Sequence, residues 1–184
     1  MNITIKSGKE LTIEDFKSIL ALDLMIFGKD ILTNKGMAEK RFLKFKEGVI
    51  TAYAEKKLVG FISFFSVMPA VHQRALLQQE YIDDNLNAEE IKPLTKEASN
   101  SVLLFDHVID PDYRGQGISR LLVESAREYL KQKNIEGYVI ENIFAFAISV
   151  KGRQILLSLG GKTMWIKDDI TCLELDREIF LGLI

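Results

Sequence analysis

The run richest in chemistry is Ile109-Asp110-Pro111-Asp112-Tyr113-Arg114-Gly115-Gln116-Gly117-Ile118-Ser119-Arg120. It sets two glycines between a β-rich segment and the start of a helically periodic one. Amides in the first turn of a helix have no intrahelical acceptor, and the helix dipole adds partial positive charge there. Gly115 and Gly117 lack a Cβ, so an anion can come close to the backbone, and both can take the positive φ that turns amides inward. A diphosphate suits such a turn. A bare strand-to-helix turn with no ligand uses the same residues. Two nucleotide motifs are excluded: no Gly-Lys-Ser/Thr follows, as a P-loop needs, and Arg120 stands where the dinucleotide fingerprint needs its third glycine.

Few other side chains carry chemistry. Leu103, Phe105, His107 and Ile109 alternate on one face of the preceding strand, while Leu104, Asp106 and Val108 share the other. His107 is the first candidate for a general base, because imidazole titrates in the useful range. A histidine satisfied by hydrogen bonds at the edge of the core is the plain alternative. Asp106 and Glu141 are further candidates, and structural ion pairs would account for both. Glu141 sits in an otherwise apolar run, where a buried carboxylate needs a partner. Phe64, Phe65, Phe144 and Phe146 could line an apolar pocket, although aromatics on buried strands are more often core.

The elements that must position these residues follow from periodicity. A short strand at Ile3 to Ile5 leads to Thr12-Ile13-Glu14-Asp15, a helix cap, and then to an apolar face of Phe16, Ile19, Leu20, Leu24 and Phe27. Val49 to Ala54 and Leu58 to Val67 read as a hairpin. Between Ala70 and Asn100 the periodicity fades, with a short capped helix predicted at Asn87-Ala88-Glu89-Glu90 and acids at Glu80, Asp83, Asp84, Glu89 and Glu90. Val102 to Ile109 is a strand that Pro111 stops, and Ile118 to Lys133 has the spacing of a helix laid on a sheet. Tyr138 to Ile148 reads as a strand buried on both faces. Ser149 caps a helix carrying Ile155, Leu156 and Leu159, which Gly160-Gly161 ends, and Met164 to Ile166 with Ile170 to Leu175 form a last hairpin. The fold class is α/β in the broad sense: a mixed, mostly antiparallel sheet of six to seven strands with helices on both faces.

Composition narrows the function. The 184 residues fit one domain, 1–184, with an insertion at about 70–100. A net charge of -2 offers no field for a phosphate backbone, so nucleic acid is not an expected partner. The single cysteine, Cys172, allows no intrachain disulfide and no Cys-rich metal site, and no metal is expected. With neither a signal-like N-terminus nor a membrane-length apolar run, the protein is expected to be cytoplasmic and to have no membrane partner. Ile179, Phe180, Leu181, Leu183 and Ile184 make an apolar tail that must pack on the domain or on a second subunit, the latter giving a homodimer.

The central turn resembles motif A of the GNAT superfamily of acyl-CoA N-acyltransferases, whose pattern is Arg or Gln, two residues, Gly, one residue, then Gly or Ala. Arg114, Gly117 and Ser119 hold those places, Ser119 being an unusual last member. Ile109-Asp110-Pro111-Asp112-Tyr113 is similar to the hydrophobic-x-Pro-x-Tyr lead-in of that superfamily, and the order of elements matches its fold apart from the insertion. The resemblance implies transfer of an acetyl group from acetyl-CoA to an amine of a small molecule or protein. It implies that the amides of Arg114, Gly115, Gln116, Gly117, Ile118 and Ser119 bind the CoA diphosphate, and that Val108 and Ile109 pair with the pantetheine arm. An amide at Ile109 would then stabilise the oxyanion. Members often draw their base from the face that carries His107, and the region of the insertion borders the acceptor cleft, where its acids could attract a cationic amine. The superfamily also often shows an Asn opening the last helix and a Tyr seven residues on, before a Gly-Phe pair. Here Ser149 holds the Asn place among the cofactor-binding residues, Leu156 the Tyr place, and Gly161 the Phe place. Leucine cannot protonate a departing thiolate, so a CoA-binding sensor or scaffold without turnover stands as the alternative function.

Overall fold

The computed structural model describes residues 2–28 and 35–184. The strands are β1 (Ile3–Ser7), β2 (Val49–Ala54), β3 (Lys57–Val67), β4 (Asn100–Ile109), β5 (Ile140–Ala147), β6 (Gly161–Lys167) and β7 (Ile170–Leu175). The helices are α1 (Ile13–Phe27), α2 (Lys35–Lys44), α3 (Pro69–Leu77), α4 (Ile118–Ile135), α5 (Val150–Ser158) and α6 (Arg177–Leu181). The strands make one seven-stranded sheet in the order β1-β2-β3-β4-β5-β7-β6. β1/β2, β2/β3, β5/β7 and β6/β7 are antiparallel, whereas β4 and β5 are parallel, because α4 returns the chain to the same end of the sheet before β5 starts. The fold is therefore the mixed α/β architecture that the order of elements predicts.

The chain forms two compact units. The first comprises residues 1–64 and 106–126. Within it, Thr12 caps α1 by accepting from the Asp15 amide while the Asp15 carboxylate accepts from the Thr12 amide, a reciprocal capping box. Leu22 of α1 then packs with Tyr53, Leu58, Phe61 and Val108, so the strand that leads into the glycine turn is held by a dense core. A second cluster of Leu11, Phe16, Phe42 and Val49 ties α2 to the same unit, with the Phe16 and Phe42 rings 5.1 Å apart. Helix α2 was not expected from its sequence: its charged residues outnumber the apolar positions that make Ala38 and Phe42 a face.

The second unit comprises residues 65–105 and 127–184. Its insertion is more ordered than the faded periodicity suggests. Pro69 opens α3 at the first helical position, where the missing amide costs nothing. The turn expected at Asn87 is a 3-10 helix, Ala88–Glu90, with Asn87 accepting from the Glu89 amide. The insertion is sewn to the end of β3 by Met68 N donating to Glu90 O and Lys92 N donating to Ser66 O. A run of rings fills the unit: His72 against Phe144, Tyr81 against Phe146, and Phe146 against Trp165, whose indole donates to Ala75 O at 2.7 Å.

Two expectations need correction. β5 is not buried throughout, since Glu141 is exposed and therefore needs no buried partner. The apolar tail is also divided. Asp176 caps α6, which buries Phe180 and Leu181, and Arg127 donates to Phe180 O at 2.6 Å, whereas Ile179, Leu183 and Ile184 stay exposed. Among the described residues no helix is long and apolar enough to cross a membrane.

Candidate active site

The turn after β4 is braced from below. The Asp110 carboxylate is almost fully buried, accepts from the Asp112 amide at 3.0 Å, and pairs with Lys57 Nζ at 2.8 Å. That hydrogen bond from Lys57, outweighing burial, holds the Asp110 carboxyl below the ordinary carboxylate range. The same ammonium lies 4.9 Å from the centre of the Tyr113 ring, and the Asp110 amide donates to Val59 O at 2.9 Å. The single 3-10 turn Pro111–Tyr113 is thus fixed on three sides before the chain reaches Arg114.

Beyond it the backbone opens. Gly115 and Gly117 have φ of +76° and +81°, and a Cβ built on either would meet nothing within 4 Å. Both glycines are needed for their left-handed conformation and leave open space above them. The first helical bond of α4 is Leu121 N donating to Gly117 O at 3.1 Å. Arg114 and Gly115 form a hydrogen-bonded turn, and among the described residues no acceptor takes the amides of Gly115, Gly117, Ile118, Ser119 and Arg120. Buried Ile118 and Leu122 anchor the helix start, so these free donors stand on a rigid element. Arg114 is exposed beside them and makes no ion pair among the described residues. Five unbonded amides at the positive end of an 18-residue helix, with a guanidinium alongside, are an arrangement able to accept hydrogen-bonding anionic oxygens.

The strand residues before the turn are placed less uniformly. Val108 is buried in the core, so any role toward a ligand falls to its backbone, and Ile109 is partly buried. His107 Nε2 lies 3.2 Å from Ser119 Oγ, which explains what the hydroxyl does at a position where the resemblance leads one to expect glycine or alanine. Burial pulls the His107 imidazole down to about 4. The expectation that it titrates near neutrality is therefore not met. At pH 7 it is neutral and a poor acceptor for an ammonium proton. Asp106 is partly buried, while Glu141 is exposed.

In the second unit, Ser149 Oγ accepts from the Gly152 amide at 3.0 Å and so caps α5. Gly161 is explained by its surroundings: a Cβ there would lie 2.6 Å from Leu156 O, so a phenylalanine cannot replace it without moving the helix end. Phe64, Phe65 and Phe144 are buried, which matches the core reading of these aromatics. The acids of the insertion are partly neutralised within it. Arg74 Nε pairs with Glu80 at 3.0 Å and Arg74 Nη1 with Glu90, which keeps the Glu90 carboxyl below its usual range despite burial.

One pair escaped the sequence reading. His72, on α3, has Nε2 3.0 Å from Glu174 Oε1 on β7, and its ring packs edge-on against Phe144. The only signal in the sequence was scarcity, His72 being one of two histidines. Its partner lies 102 positions away, a distance that periodicity cannot bridge.

The fourth strand of a mixed sheet hands over, through a loop with free amides, to an amphipathic helix, and this layout agrees with the comparisons with known proteins. The family model described as acetyltransferase (GNAT) family matches residues 18–146, and the chain belongs to that family. Among solved structures it is similar to the loading GNATL domain of CurA from Lyngbya majuscula (16% identity, TM-score 0.67, covering 97% of this chain and 99% of that one). It is also similar to PH1933 from Pyrococcus horikoshii OT3 (16% identity, TM-score 0.60, 95% and 98% covered). A third is PaiA N-acetyltransferase from Thermoplasma acidophilum in complex with coenzyme A (14% identity, TM-score 0.58, 96% and 99% covered). These likenesses are of fold. No curated protein matches the chain.

Proposed function

We propose that the protein is a cytoplasmic N-acetyltransferase that moves an acetyl group from acetyl-CoA to an amine of a small molecule or a protein. The observation that carries this reading is the set of five unbonded amides, Gly115, Gly117, Ile118, Ser119 and Arg120, bordered by Arg114. Each charge-assisted bond from such an amide to a phosphate oxygen contributes about 1.5–3 kcal/mol. Arg114, Gly115, Gln116, Gly117, Ile118 and Ser119 would hold the diphosphate, and the backbone of Val108 and Ile109 would pair with the pantetheine arm. The Ile109 amide would then meet the thioester oxygen as negative charge develops on it, an effect worth about 3 kcal/mol in comparable sites.

An alkylamine is almost wholly cationic at neutral pH and must lose a proton before it attacks. His107, neutral and tied to Ser119, would serve better to position the cofactor loop than to take that proton. The thiol leaving group has an ordinary pKa of about 8.5 and departs tolerably as thiolate, so Leu156 does not prevent turnover. A CoA-binding module without turnover remains the second reading, favoured by Leu156 and Gly161 at the places named above.

Incubation of the purified protein with acetyl-CoA and a panel of amines, with detection of free CoA thiol, separates the two. Thiol release that depends on an amine supports the transferase. Saturable acetyl-CoA binding with no release for any amine supports the module.

A further inference from the structure

The free amides follow directly on a turn that contains a buried charge. We propose that the Lys57–Asp110 ion pair positions this turn for CoA, setting cofactor affinity through the backbone it holds and without touching the ligand; this rests on the acetyltransferase reading. The Asp110 side chain is 5% exposed and that of Lys57 54%, with Nζ 2.8 Å from Oδ2. The other carboxylate oxygen, Oδ1, accepts from the Asp112 amide at 3.0 Å. One side chain therefore ties Lys57, the first residue of β3, to the 3-10 turn Pro111–Tyr113 that precedes Arg114. The Asp110 amide makes a parallel tie in the main chain by donating to Val59 O at 2.9 Å.

Burial explains why this tie needs a charge. A carboxylate taken out of water requires a cation or a full set of donors. At Asp110 the backbone supplies one donor and Lys57 supplies the charge. The hydrogen bond from Lys57 is the main reason that the carboxyl stays below its ordinary range against burial, and the Asp112 amide and the charge of Arg114 act in the same direction. The Lys57 ammonium is in turn held protonated chiefly by Asp110, and it also faces Tyr113 and Asp112.

Without the ammonium, the carboxylate has two ways out. It takes up a proton and stays buried, or it turns to water, and the Asp112 amide then loses its acceptor. In the second state the chain leading to Gly115, Gly117, Ile118, Ser119 and Arg120 has lost its anchor. CoA must then bind the fraction of molecules that remain closed, and the apparent Kd rises by the inverse of that fraction. Burial without a cation raises the carboxyl pKa of the closed form above that of the open form. Closure is therefore retained at low pH and lost as the pH rises through the raised value.

The test is calorimetric titration of CoA into wild type, Lys57→Met, Asp110→Asn and the double variant between pH 5 and pH 8, with thermal unfolding of each free protein. Lys57→Met should raise Kd by about 10-fold or more at pH 8, and its ratio to wild type should shrink as the pH falls. Taking the ratio removes the titration of the phosphates on CoA itself. Asp110→Asn keeps an acceptor for the Asp112 amide and carries no charge, so alone it should cost a few-fold. Added to Lys57→Met, it should recover most of the lost affinity. Lys57→Arg should stay within a few-fold of wild type, and Lys57→Gln carries the comparison if Lys57→Met does not fold. A lower melting temperature for Lys57→Met with unchanged Kd at every pH would overturn the assignment. So would a loss that Asp110→Asn fails to relieve, which is what direct contact between the ammonium and CoA gives. Both results leave the CoA reading standing, whereas a wild type that does not bind CoA would overturn that reading and the role of the pair with it.

Discussion

Gly117 is the position at which the phosphate-binding argument can be broken with least ambiguity. Its φ of +81° lies in the left-handed region, and a Cβ there meets nothing within 4 Å. Any side chain at 117 therefore costs only backbone strain in the free protein, about 1–2 kcal/mol. For a chain of this size that is a melting temperature lower by roughly 2–8 °C. Gly117→Ala and Gly117→Trp should share this loss, because the strain belongs to the backbone and the space above it is open. They should differ in binding. A tryptophan above the loop blocks at least two amides from a phosphate, and two charge-assisted bonds at about 1.5–3 kcal/mol each amount to a rise in Kd of about 10²-fold to 10⁴-fold. The alanine methyl fills far less of that space and should cost less than the tryptophan. Calorimetric titration with CoA, set beside thermal unfolding of each free variant, reads the two effects separately. If Gly117→Trp folds and binds CoA with wild-type affinity, the diphosphate does not sit on this loop and the reasoning fails.

Three further outcomes follow from other sites. Gly48→Ala should be strongly destabilising, by about 3 kcal/mol or more, because its Cβ would lie 2.0 Å from Phe64 O and 2.7 Å from the Phe45 ring; chemical denaturation at matched m-value measures it. Burial lowers His107 from 6.5 to about 4, so the unfolded chain binds the extra proton between those values. Stability from this group is complete above pH 6.5 and falls as the pH drops toward 4, with a slope approaching about 1.4 kcal/mol per unit, and urea titrations of His107→Gln should show that slope flattened. Trp165→Phe should cost about 1–3 kcal/mol by removing the buried indole bond to Ala75 O, and should loosen α3 enough to raise amide exchange there, as hydrogen exchange would report.

Much of the architecture was legible because its signals are local. The capping box at Thr12, the strand ending at Asp110-Pro111, the periodic face from Ile118 and the cap at Ser149 each lie within a few residues of their partners, and each stands where it was read. The glycine turn was legible for the same reason: Gly115, Gly117 and a following helix suffice to predict positive φ and unpaired amides. Helix α2 was missed because Ala38 and Phe42 form a face only in the presence of Phe16 and Leu11. Residues 70–100 were hard to read beyond the short capped helix at Asn87 because their order comes from main-chain bonds to the end of β3 and from Trp165, neither signalled by local periodicity.

For the chemistry the division is sharper. Residue types and spacing alone determined which backbone turn presents unpaired amides, since helix-end amides and glycine conformations are properties of a dozen consecutive residues. The environment that each histidine meets was decided only by the tertiary structure. Burial pulls the His107 imidazole down to about 4, and His72 meets a carboxylate 102 positions away on β7. Protonation equilibria depend on solvent access and on through-space partners, and neither is encoded in the order of neighbouring residues.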